Sequence, residues 1–587
     1  MKKIILLVLV LSMLMCIAAC KGGKDDAATD QSAGNAQTAS PDTGTAPAAS
    51  GPNYGGTLTI QLADFNTVFD PAMGEQYVYS LWLEYLFGMD WGLNDPSAYP
   101  FAENTFILDY ATGQIAKSWV WDPANMTFTV TIRDDIYFQE KTGDYDIFGA
   151  RNMTADDIKY SYDRVTGQGS GFTQDNFMMI DVDWRPRLNM LESTEVTDKY
   201  TVVFHMNTAS ETRLSEFIIA QINITGPEWD TLSDSQKSDW RYACGTGPFI
   251  LTDYAPDNHF TFVRNGNYYA YDERYPDNRL PYLDGIVLQK FSDSTSIISN
   301  FISGSLDYIP TSAGLSDSER LQIRNNVNGV AVQSFAFSAP AITLKVNNAP
   351  FNDINVRIAM QKAINLEEVN SAYYGNSEFS FAGLWASALT NLSAVNQWDA
   401  QLRSEYTYDP DAARQLLADA GYADGFEFTI ALDPMADVDV FQLAKGYLAE
   451  VGITMNIEIL PDMMAGREVQ GNPDDPRVFN FDLGASNDPG FAFQSFATVG
   501  FAYSIYHGDT ALDGMLAAAR DAMTLSEQET AAKAVDLYFM RQHWLIAISG
   551  LTSREAFVSP RLGGLENGEQ FGASHFFKTI AARVWVQ

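Results

Sequence analysis

The sequence predicts an α/β protein whose folded body divides into two lobes, and three observations carry that expectation. The chain has 587 residues, and the part that follows its low-complexity N-terminal stretch exceeds what one hydrophobic core ordinarily organises. Apolar residues make up 46% of the whole chain and aromatic residues 13%, enough to bury sizeable cores. Strand-type and helix-type periodicities alternate along it, and the second half contains a complete strand–helix–strand unit.

The N-terminus comes first. Lys2 and Lys3 precede an apolar run from Ile4 to Ala19, shorter than the roughly 20 residues a membrane-spanning helix needs. A basic start, a short apolar core and small residues before a cut are the marks of a secretory signal. The stretch Ile17-Ala18-Ala19-Cys20 resembles a bacterial lipobox, which implies cleavage after residue 19 and lipidation of Cys20. Two acyl chains anchor a protein stably without a spanning helix. Residues 20–52 are almost entirely Gly, Ala, Ser, Thr, Asp, Gln and Pro, with no aromatic before Tyr54. Such a segment cannot offset its conformational entropy by burial, so it reads as a disordered tether. The expected location is the outer face of the cell membrane, lipid-anchored.

The body begins with "YGGTLTIQL" (54–62), a strand behind a glycine turn. "MTFTVTIR" places Phe128, Val130 and Ile132 on one face of a half-buried strand. "MTADDIKYSYDRV" starts a helix, with Thr154 as N-cap and Asp157 three residues on. Ile158, Tyr162 and Val165 share its buried face. In "YDPDAARQLLADAGY", Asp409 caps, Pro410 takes the first helical position and Gly421 ends the helix. Ala413, Leu416, Leu417 and Ala420 form its apolar stripe. Next come "FEFTIAL" (426–432), a helix carrying Phe441, Ala444, Leu448 and Val451, Gly452 as its stop, and "TMNIEIL" (454–460). That is a βαβ unit, whose strands pair parallel with a right-handed crossover. Ligands on such sheets bind at the carboxyl ends of the strands, and a cleft between lobes suits a solute.

Chemistry is sparse. With 37 basic against 74 acidic residues and a formal charge of −37, the chain is ill suited to neutralising phosphates, which argues against nucleic-acid binding. The same balance disfavours adhesion of the body to an anionic bilayer. Of Cys16, Cys20 and Cys244 only the last lies in the body, so no intrachain disulfide is expected there. Cys244, in "YACGTGPF" with no histidine near it, reads as a structural thiol. The histidines at 205, 259, 507, 543 and 575 offer no HExxH spacing, and neither a GxSxG elbow nor a Walker loop is present. Acidic pairs such as Asp134-Asp135 and Asp156-Asp157 read as solvated surface. No catalytic residue, metal or cofactor is expected.

Several stretches occur in one order: "GGTLTI", "DP" (70–71), "TFTVTIRDDIYFQ", "MTADDIKYSYDRV", "GTGPFILTDYAPDNHFTFVRNGNYY", "PYLDGIVLQKFSDSTSIISNFISGSLDYI", "APFNDINVRIAMQKAIN" and "YDPDAARQLLADAGY". In this order the chain resembles the extracellular solute-binding proteins of the oligopeptide/dipeptide family, from about Gly55 to its end. The resemblance implies a bilobed periplasmic-binding-protein-like fold with two crossovers and an extra subdomain on the first lobe. It implies a first lobe over 53–335 with an insert over about 76–194, a second lobe over 336–555, and a C-terminal return over 556–587. The crossings fall near Val332–Leu344 and Thr552–Pro560. It further implies a monomeric receptor that delivers a solute, foremost an oligopeptide, to the permease subunits of an ABC importer. By family position the cleft is lined by Phe65, Asn66, Phe172 and Tyr308 from the first lobe. Trp385, Met463, Ser486, Asn487 and Asp488 come from the second. One departure bears on the ligand. Peptide binders of the family carry an aspartate four residues before the proline of the last loop, and here that position is Ala485; a tryptophan some twenty residues earlier is replaced by Met463. A buried ammonium needs a paired carboxylate, so an oligosaccharide or metal chelate is the alternative cargo, with Asp488 able to serve from a shifted position. A secreted hydrolase using an acidic pair and a sensory receptor without transport are the remaining readings.

Overall fold

Thr127–Ile132 alternates half-buried threonines with buried Phe128, Val130 and Ile132, the mark of a sheet with one face on a core. The computed structural model describes residues 51–62, 69–72, 77–89, 111–168, 188–219, 222–310, 313, 315–336, 339–374, 398–434, 436–472, 474–483, 509–550, 553–565, 577 and 580–587. Among the described residues no helix is long and apolar enough to cross a membrane.

In chain order the body starts with β1 (Thr57–Gln61), then β2 (Ala116–Asp122), β3 (Thr127–Ile132), α1 (Ala155–Thr166), β4 (Leu191–Asp198), β5 (Thr201–Met206) and α2 (Glu211–Ile219). There follow β6 (Phe249–Ala255), β7 (His259–Arg264), β8 (Gly285–Gln289), α3 (Ser294–Ile302), β9 (Tyr308–Ile309) and β10 (Ala331–Ala336). The remainder comprises β11 (Ala339–Thr343), α4 (Ile354–Ala363), α5 (Pro410–Asp419), β12 (Phe426–Leu432), α6 (Val438–Glu450) and β13 (Ile453–Ile459). It ends with α7 (Met463–Gly471), β14 (Val478–Leu483), α8 (Thr510–Arg520), α9 (Leu525–Gln542), β15 (Leu545–Ala547) and β16 (Ser553–Val558).

Two sheets organise two cores, and the chain is bilobed. A seven-stranded sheet runs in the order β10-β16-β9-β1-β8-β7-β6, and a five-stranded sheet in the order β13-β12-β14-β11-β15. The first packs against Leu58, Ile60, Trp82 and Ile286, the second against Ile342, Ile430, Leu448 and Ile546. The chain passes from the first sheet to the second between β10 and β11, and back between β15 and β16. A separate antiparallel sheet, β2-β3-β5-β4, forms the insert on the first lobe. It runs to Met206, where β4 pairs antiparallel with β5.

Local rules account for the elements that position these lobes. Asp157 accepts the Thr154 N–H at 2.8 Å at the start of α1, and Ile158, Tyr162 and Val165 are buried behind it. Asp409 accepts from Ala412 N–H at 3.0 Å, and Gly421 lies at φ +89° after α5. The stripe on α5 is narrower than the pattern suggests: Ala413 and Leu417 are buried, while Leu416 and Ala420 are half-buried. β12 and β13 pair parallel from Phe426↔Ile453 to Leu432↔Ile459 across α6. At their entrance Gly425 has φ +77°, and a Cβ there would stand 1.8 Å from the Gly452 carbonyl, so only glycine lets the two strands begin side by side.

Candidate functional site

The loops expected to carry ligand contacts leave the carboxyl ends of parallel strands. β1 runs parallel to β8 and β9, and the segment holding Phe65 and Asn66 follows β1. In the second lobe β14 and β13 both run parallel to β12. Met463 follows β13 as the first residue of α7, which Asp462 caps by accepting from Ala465 N–H at 2.9 Å. The segment with Ala485, Ser486, Asn487 and Asp488 follows β14, so both depart from one edge of that sheet. Phe65, Asn66, Phe172, Trp385, Ser486, Asn487 and Asp488 themselves lie outside the described residues, as does Cys20. Tyr308 is 1% exposed in β9 and packs in the first-lobe core. It lies between β1 and β16, so its ring offers no accessible face in this conformation.

The frame behind these loops was not legible in the sequence. Asp70 follows the β1 loop, and Arg164 of α1 grips it with a bidentate fork of 2.6 and 2.7 Å. Both are buried. Burial works against ionisation of Asp70, but the guanidinium beside it and the Ala72 N–H hold its carboxyl below the usual range. Asn223 donates to the neighbouring Pro71 carbonyl at 3.0 Å. In the second lobe the Lys345 ammonium, 3% exposed, donates to the carbonyls of Val469 (2.7 Å) and Asn472 (2.8 Å) at the end of α7. Burial pushes it down to about 8. It thereby fixes the helix that Met463 begins.

Glu84 is a third buried group, 3% exposed. Its carboxylate accepts hydroxyls from Thr246 (2.7 Å), Tyr269 (2.9 Å) and Tyr268 (3.0 Å). Burial pushes it up to about 7, while these donors and Arg133 pull the other way. Among the described residues its bonded side-chain partners are hydroxyls and not a second carboxylate. The folded protein binds this proton more tightly than the unfolded chain, so stability falls as pH rises from about 4.5 to about 7. Relative to wild type, Glu84→Gln is expected to flatten that part of the profile, a difference on the order of 2–3 kcal/mol. Chemical unfolding at pH 5 and pH 8 reads it. Cys244 is 1% exposed, donates to the Gln139 carbonyl at 3.2 Å, and its thiol is pushed up to about 12 by burial. It is an unreactive structural thiol.

Comparison with known proteins matches this architecture. The family model "Bacterial extracellular solute-binding proteins, family 5 Middle" matches residues 111–507. The chain belongs to this family of solute-binding proteins, which are not enzymes. It is 24% identical over 330 residues to heme-binding protein A of Haemophilus influenzae, covering 55% of this chain and 56% of that protein. It is 24% identical over 469 residues to the glutathione-binding protein GsiB of Salmonella paratyphi A, covering 77% and 84%. The chain thus spans little more than half the length of the first of these relatives. Among solved structures it is similar to the ABC transporter-associated periplasmic binding protein DppA from Helicobacter pylori in complex with peptide STSA. There the TM-score is 0.71 and the identity 18%, over 91% of this chain and 98% of that one.

Proposed function

We propose that the protein is the lipid-anchored receptor of an ABC importer, capturing an oligopeptide between closing lobes and delivering it to the permease subunits. The observation that carries this reading is the match to the solute-binding family over residues 111–507, joined to a bilobed chain crossed by two strand connections. Two lobes joined by short crossings close by a hinge, driven by a solute that contacts both. The peptide cargo is supported by the DppA–peptide likeness, and anchoring by the lipobox-like stretch ending at Cys20. Cys20→Ala is expected to release the protein into the medium; retention on cells refutes the anchor.

The second reading, a cargo without a free amine, is favoured by one residue. Ala485 stands where the family's peptide binders hold an aspartate, so a peptide ammonium has no counter-charge at that place. The heme- and glutathione-binding relatives indicate that cargo changes on this fold. A thermal-shift screen with di- to hexapeptides, their N-acetylated forms and oligosaccharides separates the two. A ligand at 100 times its Kd adds about 2.7 kcal/mol. Stabilisation by free-amine peptides alone supports the peptide receptor and assigns the ammonium a partner other than residue 485. Stabilisation by blocked peptides or sugars alone replaces it with the second reading.

A further inference from the structure

Helix α2 is buried on two sides of opposite character. Leu214, Phe217 and Ile218 enter the first-lobe core. Ser210, Thr212, Arg213 and Glu216 are also buried, at 1%, 1%, 6% and 4% exposure. A polar face on a surface helix is ordinarily solvated, so something polar covers this one. The second lobe covers its start, while Arg213 also donates to Asn189 within the first lobe. The linker between α8 and α9 presents two consecutive carbonyls to the first turn of α2. The Ala522 carbonyl lies 2.6 Å from both the Ser210 and Thr212 hydroxyls, which stand 2.7 Å from each other. Each hydroxyl is within donating reach of Ala522, and the two cannot both donate to each other. The Met523 carbonyl accepts from the Glu211 N–H at 3.1 Å, one of the donors a helix leaves unpaired in its first turn.

Charge alternates across the same contact. Arg213 pairs with Glu216 on α2, and Arg520 with Asp521 at 2.9 Å on the opposite lobe. Across the gap Arg213 adds to Arg520 in holding the Asp521 carboxyl below its usual range, and Glu216 adds to Asp521 in raising Arg520. The linker is stiff, because Glu527 accepts from both Met523 and Thr524 N–H at 3.1 Å at the start of α9.

We propose that the first turn of α2 and the α8–α9 linker form a reversible clasp, which holds the lobes closed and sets the open–closed equilibrium. A contact that never opens gains most by burying apolar surface, whereas one that opens must leave two faces that water can satisfy. Hydroxyls, a helix N-terminus, peptide carbonyls and balanced charges meet that requirement. Because solute binds the closed form, the clasp tunes apparent affinity without touching the solute.

The proposal rests on the receptor reading for its purpose, but its test uses no solute. Glu211→Pro puts proline at the first helical position, where it suits the helix while deleting the N–H given to Met523. Thr212→Val removes a hydroxyl at nearly constant shape and leaves Ser210 to cap α2, whose Oγ accepts from Arg213 N–H at 3.3 Å. Hydrogen exchange by mass spectrometry on the full chain follows residues 518–528, which carry neither substitution. The double variant is expected to exchange there about tenfold faster, with residues 259–289 unchanged and Thr212→Val alone intermediate. Unchanged exchange at 518–528, or equal acceleration in both segments, overturns the clasp. A failed ligand screen would refute the receptor and leave this result standing.

Discussion

Replacing Arg164 with methionine is expected to cost the fold about 3–5 kcal/mol, because it strands the buried Asp70 carboxylate without its counter-charge. The fork between them spans an otherwise closed environment, with Asp70 7% and Arg164 4% exposed. Asp230 stands 3.5 Å from the same guanidinium, so the variant leaves two acids facing an apolar side chain. Removing both members, Asp70→Leu with Arg164→Met, is expected to recover most of the loss. Urea unfolding of the four proteins of the cycle measures the coupling. The pH dependence has a definite sign. In the wild type the Asp70 carboxyl is held below 3.8, so its contribution is present above that pH and lost as pH falls through the folded value. In Arg164→Met burial raises the same carboxyl, so the variant regains stability on acidification. The pair also fixes the chain just beyond Phe65 and Asn66, and weaker solute binding should accompany the single variants.

The second large effect is expected at Trp585, two residues before Gln587. Trp585→Ala should destabilise the first lobe by about 3–5 kcal/mol through the cavity it leaves. The indole is fully buried, with Tyr282 and Tyr275 edge-on at 5.6 and 6.2 Å and the Arg274 guanidinium 5.8 Å from its ring. Its backbone pairs with Gly563, where any Cβ would meet the indole nitrogen at 2.2 Å. Trp119→Ala offers the contrast: that ring is 37% exposed on strand β2, and its loss should cost far less. Guanidinium unfolding of both variants checks the ranking.

Local rules carried most of the secondary structure into view. The helix at 155–166, the helix at 410–419 and the βαβ unit from 426 to 459 were readable because capping, proline and glycine placement and apolar spacing agree within a few turns. Which strands Thr201–Met206 joins is decided instead by pairing with β3 and β4, which no local rule specifies. The supports of the candidate site escaped for the same reason. Arg164 and Asp70 stand 94 positions apart, and Lys345 lies 124 positions before the Val469 carbonyl it holds. Ser210 and Thr212 resemble any solvated helix start, and only the other lobe makes them buried.

The two lobes differ in how their strands are drawn from the chain. Every strand of the five-stranded sheet comes from 339–547, one unbroken stretch, whereas the seven-stranded sheet needs 57–61 and 553–558 together. The second lobe can therefore assemble while the end of the chain is still being made. The first is completed only when 553–558 inserts between β9 and β10, and closing so long a loop is slow.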